Sequence, residues 1–234
     1  MNFFEEAREF IRNILTWLYF LLGFSFLFFL LPIGHSFSVM VFEMIRQDLL
    51  PTGVQLMVTN PLSAFLAQMM VSLLSAFIVT LPILLYRMMR YFLPALFEKE
   101  KKVTIWILFP SILLFFAGCL FAYLFLVPVT FEVLYPYATA IGATPFFSVQ
   151  EFISSVFGLM IVTGVMFLLP IFMALLNFLG VVNTDFWRSK WRYAILSFLI
   201  FSAIITPDGT GITMMVLVIP LSGLYGLGMV VSRK

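Results

Sequence analysis

The sequence predicts an all-α integral membrane protein with six transmembrane helices, and three observations support that prediction. Of the 234 residues, 63% are hydrophobic and only 10% are charged, whereas about a quarter of the residues in an ordinary soluble domain are charged. The apolar residues form long runs, and about 20 such residues in a helix cross the roughly 30 Å of membrane hydrocarbon. The runs are continuous and do not alternate with a period of two, which excludes the strands of a membrane β-barrel.

The first part of the chain predicts a surface helix, a span and an outer segment. Residues 2–12 place aromatic and charged side chains on different faces, as in an amphipathic helix that lies on the membrane surface. Span one is expected over residues 14–31, and because no small-residue cleavage site follows it, we expect it to stay in the protein. The more polar residues 32–60 are expected to cap the outer face and to include one short helix.

The middle of the chain predicts three further spans. Span two is expected over residues 61–86 and span three over residues 103–127, where a proline is expected to end the helix. Residues 128–151 form a second outer cap, whose tyrosine and phenylalanine rings suit the membrane interface. Span four is expected over residues 152–179, and Pro170 within it predicts a kink.

The last part of the chain predicts a basic connection over residues 180–192 and two short spans. Spans five and six are expected over residues 193–205 and 212–231. The 13 residues of span five would rise only about 20 Å, which predicts either a locally thinned bilayer or water that reaches the turn between the two spans. The whole chain, residues 1–234, is predicted to form one compact membrane domain.

The distribution of basic residues predicts the orientation of the chain. Only Arg46 of the 13 lysine and arginine residues falls on the side that holds the two caps. By the positive-inside rule, both termini are therefore expected to face the cytoplasm of a multi-pass protein in the cell membrane, which agrees with an even number of spans. The other twelve basic residues lie on the side of the two termini: Arg8, Arg12, Arg87, Arg90, Lys99, Lys101, Lys102, Arg188, Lys190, Arg192, Arg233 and Lys234.

Several classes of function find no support in the sequence. His35 is the only histidine and Cys119 the only cysteine, so no histidine-based metal cluster, catalytic triad or disulfide can be built within one chain. The carboxylates collect at the membrane edges, which argues against a proton relay inside the spans. No basic patch with interleaved aromatics indicates nucleic acid. We therefore expect a protein that is not an enzyme and that holds neither a cofactor nor a metal.

The charged stretch 87–102 is the strongest candidate for a working surface. It interrupts the apolar sequence with seven charged residues, among them Glu98 and Glu100. These two carboxylates could simply neutralise the neighbouring lysines, in exposed ion pairs worth roughly 0–1 kcal/mol. Alternatively, a carboxylate near the membrane interface could bind a guanidinium group through two parallel, charge-assisted hydrogen bonds.

Four blocks of sequence resemble the TatC family, the multispanning component of the twin-arginine protein translocase. The first block, LPILLYRMMRYFLPALFEKEKK, covers residues 81–102, and the others follow in the family's order. The last block contains TPDGTGIT and is more similar to archaeal members. The other three blocks are GCLFAYLFLVP at residues 118–128, LNFLGVVNTDFWRSKWRY at residues 176–193 and ITPDGTGITMMVLVIP at residues 205–220.

The resemblance implies roles for particular residues. Glu100 corresponds to the glutamate that receives the twin-arginine motif of a signal peptide, in a setting formed by Tyr91, Pro94, Leu96 and Phe97. In the family, a second acidic site follows a histidine near the N-terminus. One register assigns this site to Glu6 with Arg8, and another assigns it to Glu9 with Arg12, so both registers stay open.

The chain departs from the family pattern in span four. Leu168 stands where members often carry a membrane-embedded glutamate, and Gln68 and Asn177 are the alternative polar residues in spans two and four. Asp208 matches an acidic position of the family in the outer turn, although an aspartate there also suits a turn or a helix cap.

The function implied by the resemblance is that of a receptor for folded cargo proteins. Twin-arginine signal peptides would bind at the cytoplasmic face, single-span subunits of the TatA and TatB type would assemble with the chain in a hetero-oligomer, and the proton-motive force would drive transport. A small-molecule secondary transporter is the alternative. Such proteins typically place a polar site at the bilayer midplane between repeats, and the sequence contains neither repeats nor midplane charges.

Overall fold

The computed structural model describes most of the chain and consists mainly of helices. Among the residues that the structure describes, five helical segments are long and apolar enough to cross a membrane, by length and composition, as in a multi-pass membrane protein. The described residues are 3–30, 32–33, 35–50, 55–58, 60–92, 101–140, 142, 146–178, 180–206 and 211–231. The five segments are Phe10–Leu30, Leu62–Arg87, Ile107–Tyr137, Val149–Phe178 and Ile212–Val231.

The chain divides into two compact units, and the first comprises Met1–Phe109 with Phe146–Ser155. Its helices α1 and α3 pack against each other, and α2 packs against both. The strand β3 pairs in parallel with β4, so the two segments predicted to form caps are joined by backbone hydrogen bonds. The elements of this unit are α1 (Phe3–Leu30), β1 (Pro32–Ile33), β2 (His35–Ser36), α2 (Phe37–Leu49), β3 (Gln55–Met57), α3 (Pro61–Phe92) and β4 (Phe146–Ser148).

The second unit comprises Pro110–Pro145 with Val156–Lys234. Helix α10 is its centre, because α7, α8, α9 and α5 all contact it. Two helices, α4 and α6, extend across the boundary between the units. The remaining elements are α4 (Lys101–Phe121), a π-helical turn (Ala122–Leu126), α5 (Val127–Ala140), α6 (Val149–Phe167), α7 (Leu169–Phe178), α8 (Thr184–Ser189), α9 (Trp191–Ile205) and α10 (Ile212–Val231).

Two expected breaks do not occur in the structure. The surface helix over residues 2–12 and span one form a single helix, α1, because no residue between them disfavours helical backbone. The helical path also continues past Pro128 to Ala140. The π-helical turn explains this second difference: the Val127 N–H bonds to the Ala122 carbonyl, five residues back. This wider turn accommodates the ring of Pro128, which would clash in a regular α-helix.

The other spans agree more closely with the sequence. The kink expected from Pro170 is found at Leu168, which separates α6 from α7. Helix α10 has the expected bounds, and its 20 residues rise about 30 Å, so it is long enough to cross and is not the short span expected. Helix α9 has 15 residues and is short. The four strands found within the described ranges, each of two or three residues, are not predicted by the sequence.

Candidate functional site

Helices α1 and α3 form an antiparallel pair whose register is fixed by aromatic residues. The ring of Trp17 meets Phe77 edge-on at 5.7 Å between centroids, and its Nε1–H donates a hydrogen bond of 3.2 Å to the Thr80 carbonyl. Twelve residues further along α1, Phe29 meets Phe65 at 5.7 Å. As the residue number rises in one helix it falls in the other, so the first turns of α1 lie beside the last turns of α3.

Some of the predicted site residues lie at helix ends, and the others lie outside the described part of the chain. Arg8 lies on α1 and is exposed. Glu6 and Glu9 lie in the first two turns of α1 and Tyr91 in the last turn of α3, but the side chains of these three are outside the described part. The pairing of α1 with α3 therefore brings both acidic candidates and Tyr91 to one end of the helix pair. The other predicted residues lie outside the described part: Glu100, Pro94, Leu96, Phe97 and Asp208.

The described charges at this end of the pair are basic and accessible. Arg12 is exposed one turn beyond Arg8, and Arg87 on α3 is partly exposed. Beyond them, α1 presents apolar side chains to its surroundings: Leu15 is 47% exposed and Leu22 is 53% exposed. This end of the pair can therefore offer charged groups at the membrane edge and an apolar wall below them. In the described part of the chain, no group of three or more histidine, cysteine or acidic residues is placed to hold a metal ion.

Neither Gln68 nor Asn177, the possible replacements for the family's glutamate in span four, has the surroundings of a buried carboxylate. Leu168 lies in the break between α6 and α7, where its N–H bonds to the Val165 carbonyl at 3.1 Å. The Asn177 Nδ2 donates to the Thr184 Oγ1 at 3.2 Å and so ties the end of α7 to α8. Gln68 is exposed. Asn177 therefore has a structural partner, and Gln68 is not enclosed.

Sequence reasoning missed a set of buried hydroxyl groups in the second unit. Thr163, Ser202 and Thr213 are fully buried, and among the described residues their hydroxyls have no hydrogen-bond partner. The sequence contains a signal for these residues, since each is a polar residue inside a strongly apolar span. An unpaired buried hydroxyl there costs free energy. They lie on α6, α9 and α10.

Sequence reasoning also missed a cleft between α9 and α10. The cleft has a volume of about 530 Å³. The Tyr225 hydroxyl on its wall donates a hydrogen bond of 2.7 Å to the Trp187 carbonyl, which anchors α8 to α10. Gly180, with a positive φ of 68°, ends α7 and directs the chain into this connection. The lining includes Arg188, Trp191, Ile195, Ser222, Gly226 and Val230, and we call it the Arg188 cleft.

The chain is similar to known proteins along nearly its whole length. A family model described as "Sec-independent protein translocase protein (TatC)" matches residues 3–220. A protein of that description from the archaeon Cenarchaeum symbiosum is 36% identical over 86% of this chain and 76% of its own length. The protein of the same description from Aquifex aeolicus is 33% identical over 98% of this chain and 95% of its own length.

Two crystal structures share the fold. Both are described as the twin arginine translocase receptor TatC, one of them in the detergent DDM. The first has a TM-score of 0.81 and 30% sequence identity, with 97% of this chain and 98% of that chain covered. The second has a TM-score of 0.83 and 31% identity, with 98% and 100% covered. The arrangement of helices in this chain is therefore that of a known class of membrane helical bundle.

Proposed function

Since the chain belongs to the TatC family of Sec-independent protein translocase proteins, we propose that it is the receptor subunit of a twin-arginine translocase and binds twin-arginine signal peptides of folded cargo. The observation that best supports this role is the antiparallel pairing of α1 with α3. Helix α1, which carries Glu6 and Glu9, begins at the end where α3 leads into the stretch that contains Glu100.

The chemistry of the proposed site is the recognition of two guanidinium groups by two carboxylates. Glu100 receives one signal-peptide arginine, and either Glu6 or Glu9 receives the other. A carboxylate holds a planar guanidinium with two parallel hydrogen bonds, a geometry that lysine does not reproduce. Tyr91, Pro94, Leu96 and Phe97 form the setting of Glu100. Arg8, exposed beside Glu9, balances the acidic charge while the site is empty.

The apolar part of the signal peptide follows the lipid-facing wall of α1. Leu15, Leu22 and Phe26 are exposed along this helix, and Phe26 is 66% exposed. A peptide segment of about 20 apolar residues would exchange lipid contacts for contacts with this wall. Single-span subunits of the TatA and TatB type then assemble on the loaded receptor, and the proton-motive force drives transport. Asp208 contributes to the function from the outer turn.

We propose a topology of six spans within one membrane domain, with both termini in the cytoplasm of the cell. Five segments have the length to cross, and α9 is the sixth. Its 15 residues rise about 22 Å, so the bilayer thins locally around α9. An even number of spans and the concentration of basic residues on one side support the orientation.

Cysteines introduced at residue 2 and at residue 208 should be labelled from opposite sides of sealed vesicles.

The arginine site is tested by combining changes in the receptor with changes in the signal peptide. We expect Glu100→Gln to weaken binding of an Arg-Arg peptide by tens-fold, because each charge-assisted hydrogen bond contributes about 1.5–3 kcal/mol. Replacing Arg-Arg by Lys-Lys should weaken binding to the unaltered protein strongly and to the Glu100→Gln variant much less. The measurement is the anisotropy of a fluorescent peptide titrated with the purified protein in nanodiscs.

Glu98→Gln is the matched control, because it removes the same charge two residues away. Equal losses from Glu98→Gln and Glu100→Gln would mean that only the net charge of the stretch matters, and the specific site would be rejected. Glu6→Gln and Glu9→Gln, compared in the same titration, decide between the two registers, since only the true partner should lose its preference for arginine over lysine.

A further inference from the structure

The Arg188 cleft combines a cation at its mouth with an apolar interior. Arg188 is exposed, and among the described residues it has no ion-pair partner, although Asp185 lies one turn earlier on α8. Below it the cleft is walled by Trp191 and Ile195 from α9 and by residues of α10. From Val230 to Ser222 the wall descends eight residues along α10, which is about 12 Å.

Two further cations lie beside the mouth of the cleft without lining it. The Lys190 Nζ lies 5.2 Å from the centre of the Tyr193 ring, and the Arg192 Cζ lies 5.5 Å from that of Trp191. Tyrosine and tryptophan rings are characteristic of the level of lipid headgroups. The mouth of the cleft therefore has the side-chain composition of a membrane interface with an excess of positive charge.

We propose that the Arg188 cleft binds one anionic phospholipid, with its phosphate against Arg188 and the upper part of an acyl chain between α9 and α10. Its volume of about 530 Å³ is in the range of small-molecule sites. Basic pockets between transmembrane helices bind anionic headgroups. A purely apolar partner helix would fill the lower cleft but would leave the Arg188 charge without a counter-charge, whereas a phosphodiester satisfies both parts. This inference does not depend on the binding of a signal peptide.

Mass spectrometry of the intact purified protein tests the proposal, with phosphatidylglycerol and phosphatidylcholine added in equal amounts. We expect the bound lipid to be mainly phosphatidylglycerol. Arg188→Gln should lower the ratio of anionic to zwitterionic lipid about fivefold, because one basic residue near the surface contributes about 1 kcal/mol. Lys190→Gln, which removes an equal charge outside the cleft, should change this ratio much less.

A second pair of variants tests the apolar part of the site. A Cβ atom added at Gly226, in the cleft wall, meets no atom within 4 Å, so we expect the side chain of Gly226→Leu to extend into the cleft. Gly223 also has open space around it but does not line the cleft. We expect Gly226→Leu to reduce bound phosphatidylglycerol several-fold and Gly223→Leu to leave it unchanged.

Three results would overturn the proposal. Equal losses from Arg188→Gln and Lys190→Gln would indicate diffuse attraction to a charged surface. Equal lipid binding by the two glycine variants would mean that the acyl chain lies elsewhere. A photoreactive residue in place of Gly226 that captures a polypeptide instead of lipid in native membranes would identify a protein helix as the occupant of the cleft.

Discussion

The α1–α3 pair and the helices of the second unit have similar composition but are held together differently. In α1 only 6% of the apolar window is buried, whereas the share is 28% both in its partner α3 and in α10. The extensive α1–α3 contact includes two edge-on ring pairs and one indole hydrogen bond. In the second unit, by contrast, helices approach each other closely at glycines. The first arrangement leaves helix surface free for a ligand, whereas the second leaves the packed helices little room to move.

The close approach is clearest between α4 and α6. A Cβ atom added at Gly118 would lie 2.8 Å from the Gly164 Cα, and one added at Gly164 would lie 2.7 Å from the Phe115 ring. Membrane helices gain little from the hydrophobic effect when they associate, because lipid tails are as apolar as their side chains. Small residues and dense packing supply the attraction instead, so this contact should be sensitive to a single added methyl group.

The largest effect is therefore expected from Gly118→Ala. Its methyl group would meet backbone, which cannot move aside cheaply, so we expect a loss of about 3 kcal/mol in the free energy of unfolding. The measurement is thermal unfolding in detergent, followed by the reaction of a thiol-specific dye with the buried Cys119 and, independently, by circular dichroism.

Gly158→Ala is the control for this prediction. An added Cβ there meets nothing within 4 Å, so alanine's higher helix propensity should leave the protein unchanged or slightly more stable. If both alanine variants unfolded at the same temperature, close glycine packing would not be what distinguishes the second unit.

A smaller effect is expected from Gly228→Ala in the contact between α10 and α7. The added methyl group would lie 2.6 Å from the Met173 Sδ and 3.2 Å from the Pro170 Cα. A methionine side chain is flexible and can shift partly, so we expect a loss of about 1–2 kcal/mol. Gly226→Ala, one half-turn away in open space, is the matched control in the same thermal assay. An unfolding temperature equal to that of the control would show that the Met173 side chain moves aside at no cost in stability.

Much of the fold is predictable from the sequence because its strongest signals are local. Long apolar runs predict the helices, and the glycine-containing sequence between the last two apolar runs predicts the start of α10 at Ile212. The missed features depend on partners distant in sequence or on uncommon geometry. The pairing of Gln55–Met57 with Phe146–Ser148 joins segments about ninety residues apart, and the π-helical turn before Pro128 leaves no local pattern that we could recognise.

The candidate sites also differ in whether their residues lie close together in the sequence. Glu100 and its proposed setting lie in one contiguous motif, so the sequence alone is enough to propose them, while the choice between Glu6 and Glu9 stays open because both fit a helical start. The Arg188 cleft escaped sequence analysis because its walls, around Trp191 and Gly226, lie more than thirty residues apart. Only the packing of α9 against α10 brings them together.

The smallest effect on stability is expected from Trp17→Phe in the α1–α3 pair. The change removes the hydrogen bond to the Thr80 carbonyl and keeps an aromatic ring against Phe77. This bond is long, at 3.2 Å, and only partly buried, so we expect a loss of about 0.5 kcal/mol. The unfolding temperature reported by Cys119 should hardly change, because Cys119 lies in the other unit.

The same substitution should nevertheless loosen the helix pair. Spin labels at Tyr19 and Val79, which are 73% and 48% exposed, report the separation of α1 and α3 in a Cys119→Ala background. We expect the distance distribution to broaden in Trp17→Phe while its mean stays the same, since the ring contacts still set the register. An unchanged width of the distance distribution, together with a large fall in unfolding temperature, would contradict the difference between the two regions. Helix α1 would then be packed as firmly as the helices that meet at glycines in the second unit.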